Sequence, residues 1–267
     1  MTRPAGSSAA GTPAAGDRAE PRYVYGVVAA AAAEGWPQPQ GLGDPPGKVR
    51  ALVEGSLAAL VSPLAPEFTP GRRADLETHE RVLGEAVART TVVPMRFGVV
   101  MDGDEGVRDT LLRRHADELQ ELLRRLDGHV QMTLKAFYAE DVLIREVVAE
   151  QPEIARAEAR LRGRSEAETR PARIAIGEMV AAGVARRREA DERALLARVR
   201  PSVTDVAVEE PANERIALHA QLLVHRDRRQ ALDDVVRELA AEQADRLALR
   251  YVGPIAPYSF ADLALEA

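Results

Sequence analysis

The sequence predicts a soluble α+β protein of two domains. With 267 residues, the chain is long enough for two ordinary domains that each bury a core. Its 46% hydrophobic and 29% charged residues are typical of a globular protein rather than a disordered one. Segments of strand-like alternation are interspersed with segments of helical periodicity. We place the domain boundary near Gly128, between an N-terminal α+β domain (residues 22–128) and a C-terminal domain (residues 129–262).

The two ends of the chain are predicted to be tails, a disordered one over residues 1–21 and a short one over residues 263–267. The first is rich in Ala, Gly, Ser, Pro and Thr and lacks the apolar core of about 7–15 residues that marks a signal peptide. The longest apolar run nearby, residues 27–33, is mostly alanine and too short to cross a bilayer. We therefore expect a cytoplasmic protein without a membrane segment.

The N-terminal domain begins with a predicted strand. Residues 23–28 are mainly β-branched and aromatic, as in a strand that is buried on both faces. A Pro/Gly-rich loop covers residues 35–47. The segments 49–53 and 57–61 flank Glu54-Gly55-Ser56, which predicts a hairpin.

Two helices and a strand complete this domain. The first helix opens at Asp75, and its apolar spacing predicts one buried stripe. That stripe comprises Leu76, His79, Val82, Leu83, Ala86 and Val87. Residues 91–98 are predicted to return as a strand, in which Pro94 indicates an edge or a bulge because it lacks an N–H. A second helix over about 104–126 ends where Gly128 takes the left-handed conformation.

The C-terminal domain begins with a strand over residues 130–138, whose alternation predicts one wet face. A helical stretch over about 139–200 follows, with Pro152 and Pro171 at first-turn positions. Its mixed Arg and Glu residues are typical of the outer faces of a helical hairpin.

Two more strands, a helix and a last strand follow. Residues 203–208 form a short strand, and residues 216–224 alternate as in a sheet with helices on one face. Asp227 is predicted to cap the next helix, with Gln230 as its capping-box partner. Residues 247–252 are the last strand, which Gly253-Pro254 ends. The order β–α–β–β–α–β predicts a ferredoxin-like domain with the helical hairpin, about residues 139–200, inserted in its first crossover.

The residues that would carry enzymatic chemistry do not form a recognisable set. The chain has no cysteine, which excludes disulfides, thiolate catalysis and Cys-ligated metals. No phosphate-binding loop, nucleophile elbow or dinucleotide fingerprint occurs. The net charge of −6, and the acidic neighbours of Arg186-Arg187-Arg188, argue against nucleic-acid binding. We expect no enzyme activity and no cofactor.

Metal sites are not predicted either. His79-Glu80 begins like a metalloprotease helix, but Leu83 stands where the second ligand belongs, so a buried core histidine is the favoured interpretation. His219 and His225 lie roughly 20 Å apart along one strand, too far to share a metal. The acidic residues 102–105 are typical of a helix N-terminus rather than a calcium loop.

Three motifs, in this order, resemble those of one protein family. Tyr23-Val-Tyr-Gly-Val-Val resembles its opening strand, and Val93-Pro-Met-Arg-Phe-Gly resembles its Pro-x-Arg-Phe-Gly signature. Tyr251-Val-Gly-Pro-Ile-Ala-Pro-Tyr-Ser-Phe resembles its C-terminal Gly-Pro-x-x-Pro-Tyr-Ser-Phe segment. The family is that of the accessory gas vesicle proteins of the F/L type, and the resemblance covers roughly residues 22–262. Its motif residues here are Pro94, Arg96, Phe97, Gly98, Gly253, Pro254, Pro257, Tyr258 and Phe260.

This resemblance implies a non-catalytic accessory role in building gas vesicles, the protein-walled buoyancy compartments of some bacteria and archaea. The implied partners are the very hydrophobic shell protein and other accessory proteins, with the protein associated with the vesicle and without nucleic-acid, membrane or small-molecule ligands. The family fold is an α+β N-terminal domain and a ferredoxin-like C-terminal domain.

The sequence allows two interpretations of the motif residues. In one they hold the fold, with Phe97 in a core and the Gly/Pro pair setting a turn. In the other, Tyr258 and Phe260 anchor a partner. Two other functions also remain as alternatives. One is a small-molecule sensor that uses the ferredoxin-like sheet, and the other is an enzyme built from His79, His115 and scattered carboxylates.

Overall fold

The computed structural model describes residues 20–65 and 67–263. Most of the two predicted tails, residues 1–19 and 264–267, lies outside this part. The fold mixes helices with two antiparallel sheets, so the α+β prediction is confirmed at that level. The chain divides into two compact units. The first combines the chain up to Val82 with Met95–Gln120, and the second combines Leu83–Pro94 with the residues from Glu121 onwards.

The described residues form the following elements. The strands are β1 (Arg22–Ala29), β2 (Arg50–Glu54), β3 (Leu57–Pro63), β4 (Val93–Pro94), β5 (Val100–Met101), β6 (His129–Tyr138), β7 (Asp205–Val208), β8 (Ile216–His225) and β9 (Leu247–Ile255). The α-helices are α1 (Arg73–Arg89), α2 (Gly103–Val107), α3 (Ala116–Arg125), α4 (Val142–Glu150), α5 (Pro152–Leu161), α6 (Glu166–Val199) and α7 (Arg229–Glu242).

The first sheet is built around β1. Its strand order is β2-β3-β1-β4, and β5 also pairs with β1. The six residues after Arg22 are buried, as the β-branched and aromatic sequence predicts for a strand covered on both faces. The predicted hairpin is confirmed as β2-β3, and Gly55 supplies the positive φ of its turn.

The second sheet has the strand order β7-β8-β6-β9, with antiparallel neighbours throughout. Leu134 at the centre of β6 pairs with Ala220 on β8 and with Tyr251 on β9. Because β8 and β6 are inner strands, their backbone groups are satisfied on both sides, whereas β7 and β9 are the edges.

Several helical predictions were wrong in detail. The second helix is interrupted, because a π-helical stretch over Arg108–Arg113 separates α2 from α3. The stretch over residues 139–200 contains three helices. Pro152 does open α5, but Pro171 lies inside α6, because the Ser165 side chain caps that helix six residues earlier. Leu76 is 44% exposed and does not belong to the buried stripe.

The capping predictions were also partly wrong. Helix α1 begins at Arg73 rather than at Asp75, although the Asp75 carboxylate accepts hydrogen bonds from two backbone N–H groups in the preceding turn. Asp227 caps no α-helix, since it lies in a 3-10 turn and α7 begins at Arg229 without a side-chain cap.

The strand predictions differ from the structure at three places. Only Val93–Pro94 and Val100–Met101 are strands around the predicted residues 91–98. The face of β6 that was predicted to be wet is only partly exposed, because Gln131 on it is buried. Strand β9 continues through Gly253-Pro254 to Ile255, since the chain bulges there instead of ending.

Candidate functional site

The Pro-x-Arg-Phe-Gly motif is half buried and half exposed. Pro94 and Met95 are buried, Phe97 is partly covered, and Arg96 and Gly98 are exposed. The Phe97 ring meets the His79 ring edge-on, with the centroids 5.8 Å apart and the planes at 89°. Aromatic pairs favour this geometry because the ring edge is positive and the face is negative. The motif is therefore attached to a buried aromatic cluster.

A Tyr23–His79 hydrogen bond organises that cluster. The Gly98 N–H donates to the Tyr23 hydroxyl at 3.0 Å, and this hydroxyl lies 2.9 Å from Nδ1 of His79. The hydroxyl oxygen accepts from Gly98, and we assign the hydroxyl proton to the bond with Nδ1. The imidazole proton then belongs on Nε2, which agrees with the ring's hydrogen bond to the Met95 backbone.

His79 is fully buried in this position. Burial lowers the pKa of His79 to about 4, because the charged imidazolium would lose its hydration. The same burial raises the pKa of Tyr23 well above its usual range. Both groups are therefore neutral at physiological pH. This confirms the prediction of a satisfied core histidine.

Tyr25 links the cluster to the Pro/Gly-rich loop. Its ring stacks on His79 with the centroids 5.7 Å apart. Its hydroxyl accepts from the Leu42 N–H at 2.7 Å and lies 3.0 Å from the Ser62 hydroxyl. The cluster thus fixes β1, the loop and the segment after Met95 with neutral hydrogen bonds and ring contacts.

The C-terminal motif begins with a bulge in β9. Gly253 has φ +143°, a conformation that side chains disfavour. A Cβ at this position would come within 2.6 Å of the Met132 sulfur and 2.9 Å of the Gln131 carbonyl oxygen. Glycine is required here both by the dihedral angle and by the close approach of β6.

Replacing Gly253 by alanine is expected to destabilise the protein by about 2 kcal/mol, because the new methyl group adds overlap to an unfavourable φ. Chemical denaturation of the purified chain measures this. Gly177, inside α6 with no atom near its Cβ position, is the matched control. Its replacement by alanine should stabilise by about 0.5–1 kcal/mol through helix propensity. Equal effects at the two positions would contradict the packing explanation.

The distal half of the C-terminal motif, residues 257–260, is anchored by a pair of buried glutamines. The Ser259 N–H donates to Oε1 of Gln131 at 3.0 Å, and Nε2 of Gln131 donates to Oε1 of Gln221 at 2.9 Å. Arg125 donates to the Phe260 carbonyl oxygen. This polar chain explains why the predicted wet face of β6 is buried at Gln131, since that amide is hydrogen-bonded inside the protein.

The exposures divide the C-terminal motif in two. Phe260 and Pro257 are buried and Tyr258 is partly covered, so this half packs within its own unit. Val252, Gly253 and Pro254 are exposed on the edge strand β9. The hypothesis that the motif holds the fold therefore fits the distal half, whereas the proximal half, residues 252–254, lies exposed at the surface.

The second unit contains an ionic network that the sequence does not predict. Asp191 on α6 accepts from the Tyr138 hydroxyl at 2.8 Å and from Arg246 at 3.0 Å. Arg246 also donates to both oxygens of Glu146 on α4, at 2.5 and 2.7 Å. Arg187 pairs with Asp191 at 3.3 Å, and this i,i+4 spacing is the only part that the sequence signals.

The charged side chains of the network stabilise one another in their charged forms. Hydrogen bonding to Arg246 holds the pKa of Glu146 below its usual range. Hydrogen bonding to Glu146 in turn raises the pKa of Arg246. Burial, and then the hydrogen bond to Asp191, raise the pKa of Tyr138. These shifts keep Glu146 and Arg246 charged and Tyr138 protonated at neutral pH.

A smaller ionic group fixes α2 in the first unit. Asp104 accepts from Arg50 and from Arg22, each at 2.6 Å. Burial tends to raise the pKa of Asp104, but the two arginines outweigh it and hold the pKa below its usual range. The acidic segment thus lies at a helix N-terminus, as predicted, and is held by guanidinium groups.

The second unit contains several cavities. A groove of about 540 Å³ runs beside β9 and is lined by Arg229, Asp233 and Tyr251 among others. A second cavity of about 300 Å³ lies where α4, α6 and the end of β6 meet.

Among residues 20–65 and 67–263, no group of three or more His, Asp or Glu is arranged to hold a metal ion. None of the helices described is both long and apolar enough to span a membrane.

Sequence comparisons identify relatives along nearly the whole chain. A family model described as gas vesicle synthesis protein GvpL/GvpF matches residues 21–262. Gas vesicle protein F of Streptomyces sp. (strain CB03234) is 38% identical over 249 residues, which are 90% of this chain and 99% of the relative. Gas vesicle protein F of Dolichospermum flosaquae is 24% identical over 245 residues, or 91% of this chain and 98% of the relative.

Solved structures agree with these matches. The crystal structure of the gas vesicle protein GvpF from Anabaena sp. PCC7120 superposes with a TM-score of 0.81 at 23% identity, covering 92% of this chain and all of that one. The GvpF structure from Microcystis aeruginosa gives a TM-score of 0.74 at 24% identity, covering 91% and 99%. At these identities the likeness establishes a shared fold.

Proposed function

Because this chain belongs to the GvpL/GvpF family of gas vesicle synthesis proteins, we propose that it acts as a non-catalytic assembly protein in gas vesicle formation. The observation that carries this is the match to gas vesicle protein F relatives over nearly their full length. We place the protein in the cytoplasm, at the growing vesicle.

We propose that the hydrophobic shell protein is one direct partner and that it contacts the exposed half of the C-terminal motif. Val252 is 46% exposed on the edge strand β9, next to Gly253 and Pro254. An edge strand offers unpaired backbone groups beside its side chains, a common mode of protein–protein contact. The distal half, held through Ser259 and Gln131, keeps this edge in a fixed position.

The finer description of the fold is also a proposal. The second sheet follows the chain order β6, helices α4–α6, β7, β8, α7 and β9. Its spatial order β7-β8-β6-β9 supports a ferredoxin-like domain with a helical insertion. The domain limits, residues 22–128 and 129–262, remain predictions.

Co-expression of the chain with the shell protein tests the proposed contact. Replacing Val252 by glutamate is expected to lower the recovery of co-purified shell protein by about fivefold, since a charge would replace an apolar contact at the interface. The matched control is Val208→Glu. Val208 is 44% exposed on β7, the opposite edge of the same sheet.

Both variants should keep the far-ultraviolet circular dichroism of the parent protein. Equal recovery with Val252→Glu and Val208→Glu would remove β9 from the interface, and absence of any co-purification would refute direct contact with the shell protein. Normal vesicles in a strain that lacks this gene and any paralogue would refute the assembly role itself.

A further inference from the structure

The cavity between α4 and α6 is an apolar groove in the second unit. It has a volume of about 300 Å³ and lies at the end of β6. Its walls include Leu143, Val180 and Val184. Ile144 also lines the groove, and it is 52% exposed. A large aliphatic side chain held on a helix surface beside apolar walls is typical of a surface that another chain covers.

The rim of this groove is acidic. Glu140, Asp141 and Glu214 line it and are exposed. None of the three carboxylates takes part in a salt bridge within the described residues, whereas the arginines that join α4 to α6, Arg187 and Arg246, pair with Glu146. Arg215 is the single basic residue among those that line the groove in the described chain. An unneutralised acidic rim favours a basic partner.

The side chain of Asp141, on this rim, does not cap α4. It is the one described non-glycine residue with a positive φ, 59°, and it stands at the N-cap of α4 without making a side-chain cap hydrogen bond. A capping carboxylate would stabilise the helix by turning inward to the N–H groups. This one is left exposed at the edge of the groove instead.

We propose that this groove docks a helical segment of a partner protein whose apolar side chains are flanked by lysine or arginine. The apolar side chains would pack against Ile144 and Val180, and the basic side chains would pair with Glu140, Asp141 and Glu214. A two-fold contact between the grooves of two copies fits less well, because it would bring the same acidic rim into contact with itself. The proposal uses a different surface from the β9 edge and does not rest on it.

Selection from a display library of peptides of about 16 residues against the purified full chain tests this. The enriched peptides are expected to carry apolar residues at helical i, i+3, i+4 and i+7 spacing with lysine or arginine beside them. Enriched peptides are then synthesised, and their dissociation constants are measured by fluorescence anisotropy. Peptides with acidic or uncharged flanks would overturn the proposal.

Two variants locate the binding. Replacing Ile144 by glutamate should weaken peptide binding at least about tenfold, because the lip of the groove becomes charged. The control is Ile174→Glu, which alters a 56% exposed isoleucine on α6 outside the groove and should leave binding unchanged. Equal affinities for the two variants would overturn the proposal.

Charge is tested separately with the triple variant Glu140→Gln, Asp141→Asn and Glu214→Gln. Asparagine tolerates the left-handed conformation at position 141. Binding should weaken about tenfold at low salt and lose most of its salt dependence. The matched control replaces three exposed glutamates elsewhere by glutamine, and these are Glu153, Glu158 and Glu178. An equal loss of peptide affinity in this control would show that the peptide is attracted only by the overall negative charge, and it would overturn the proposed site.

The remaining outcome is self-association. If sedimentation shows a dimer that Ile144→Glu abolishes, the groove is occupied by a second copy and the proposed partner class is wrong. Loss of shell protein binding in Val252→Glu with retained peptide binding would leave this proposal intact, so the two ideas fail independently.

Discussion

Acidification from pH 6.5 to pH 4 is expected to destabilise the first unit by on the order of 3 kcal/mol through His79 alone. The folded protein buries a neutral imidazole with a pKa of about 4, against 6.5 for the ordinary group. Below pH 6.5 the unfolded chain therefore binds a proton that the folded chain does not bind. Stability is complete above pH 6.5, falls as the pH drops, and levels off below the folded pKa.

The single tryptophan makes this measurable. Trp36 belongs to the first unit, so its fluorescence during chemical denaturation reports on the unit that contains His79. The variant His79→Phe keeps an aromatic ring against Tyr25 and Phe97 and removes the titration. It should lose about 1–3 kcal/mol at neutral pH, because the Tyr23 hydroxyl loses its acceptor. Its stability should then change much less than that of the parent protein between pH 6.5 and pH 4.

The control for this series is His225→Gln, at a histidine that is 40% exposed in the second unit. This variant should keep the acid-dependent loss seen by Trp36. An identical pH slope for the parent protein and His79→Phe would show that His79 is not the source. In that case, protonation of His79 in the folded protein would carry no free-energy penalty, and packing alone would hold the ring.

The aromatic cluster also shows how far a sequence can predict a structure. The 3.6-residue spacing that contains His79 and Val82 marks a buried helix face, because side chains on one face must recur at that period. The alternation in β6 and β8 likewise predicts both strands. Local spacing fails at Leu76, one turn before His79 on the same predicted stripe, because burial there depends on what the rest of the chain covers.

Contacts between distant residues were not predictable. Tyr138 and Asp191 are 53 residues apart, and Arg246 lies another 55 residues along. No local pattern marks an arginine in a turn as the partner of a carboxylate inside a helix. The start of α6 was missed for a related reason. Pro171 suggested a first turn, but the tertiary position of this helix and the Ser165 cap together outweigh the hydrogen bond that proline removes.

The motif residues could be found from the sequence, but their division between fold and surface could not. The Gly/Pro pair was expected to end a strand, because both residues disfavour regular pairing. In the structure the strand continues through a bulge, so Gly253 and Pro254 remain on an exposed edge. That outcome depends on Gln131 and Met132 of β6, about 120 residues away, which the local sequence does not indicate.

Replacing Asp191 by alanine is expected to destabilise the second unit by about 3 kcal/mol, because it leaves Tyr138, Arg187 and Arg246 without their shared acceptor. The Asp191 side chain is 12% exposed, so solvent replaces little of what is lost. Chemical denaturation followed by circular dichroism measures the loss. Hydrogen exchange should show faster opening in α4 and α6, since Asp191 and Glu146 join those helices through Arg246.

The matched control is Glu189→Ala on the same helix. Its side chain is 70% exposed and pairs with Arg193 at the same i,i+4 spacing, so its removal should cost less than about 0.5 kcal/mol. In the double variant Asp191→Ala with Glu146→Ala, the losses should not add, because both residues act through Arg246. Additive losses, or similar losses for Asp191→Ala and Glu189→Ala, would mean that the network does not fasten the helices. Because α4 and α6 form the walls of the acidic groove, their attachment to β6 through Asp191 is also what keeps that groove in one shape.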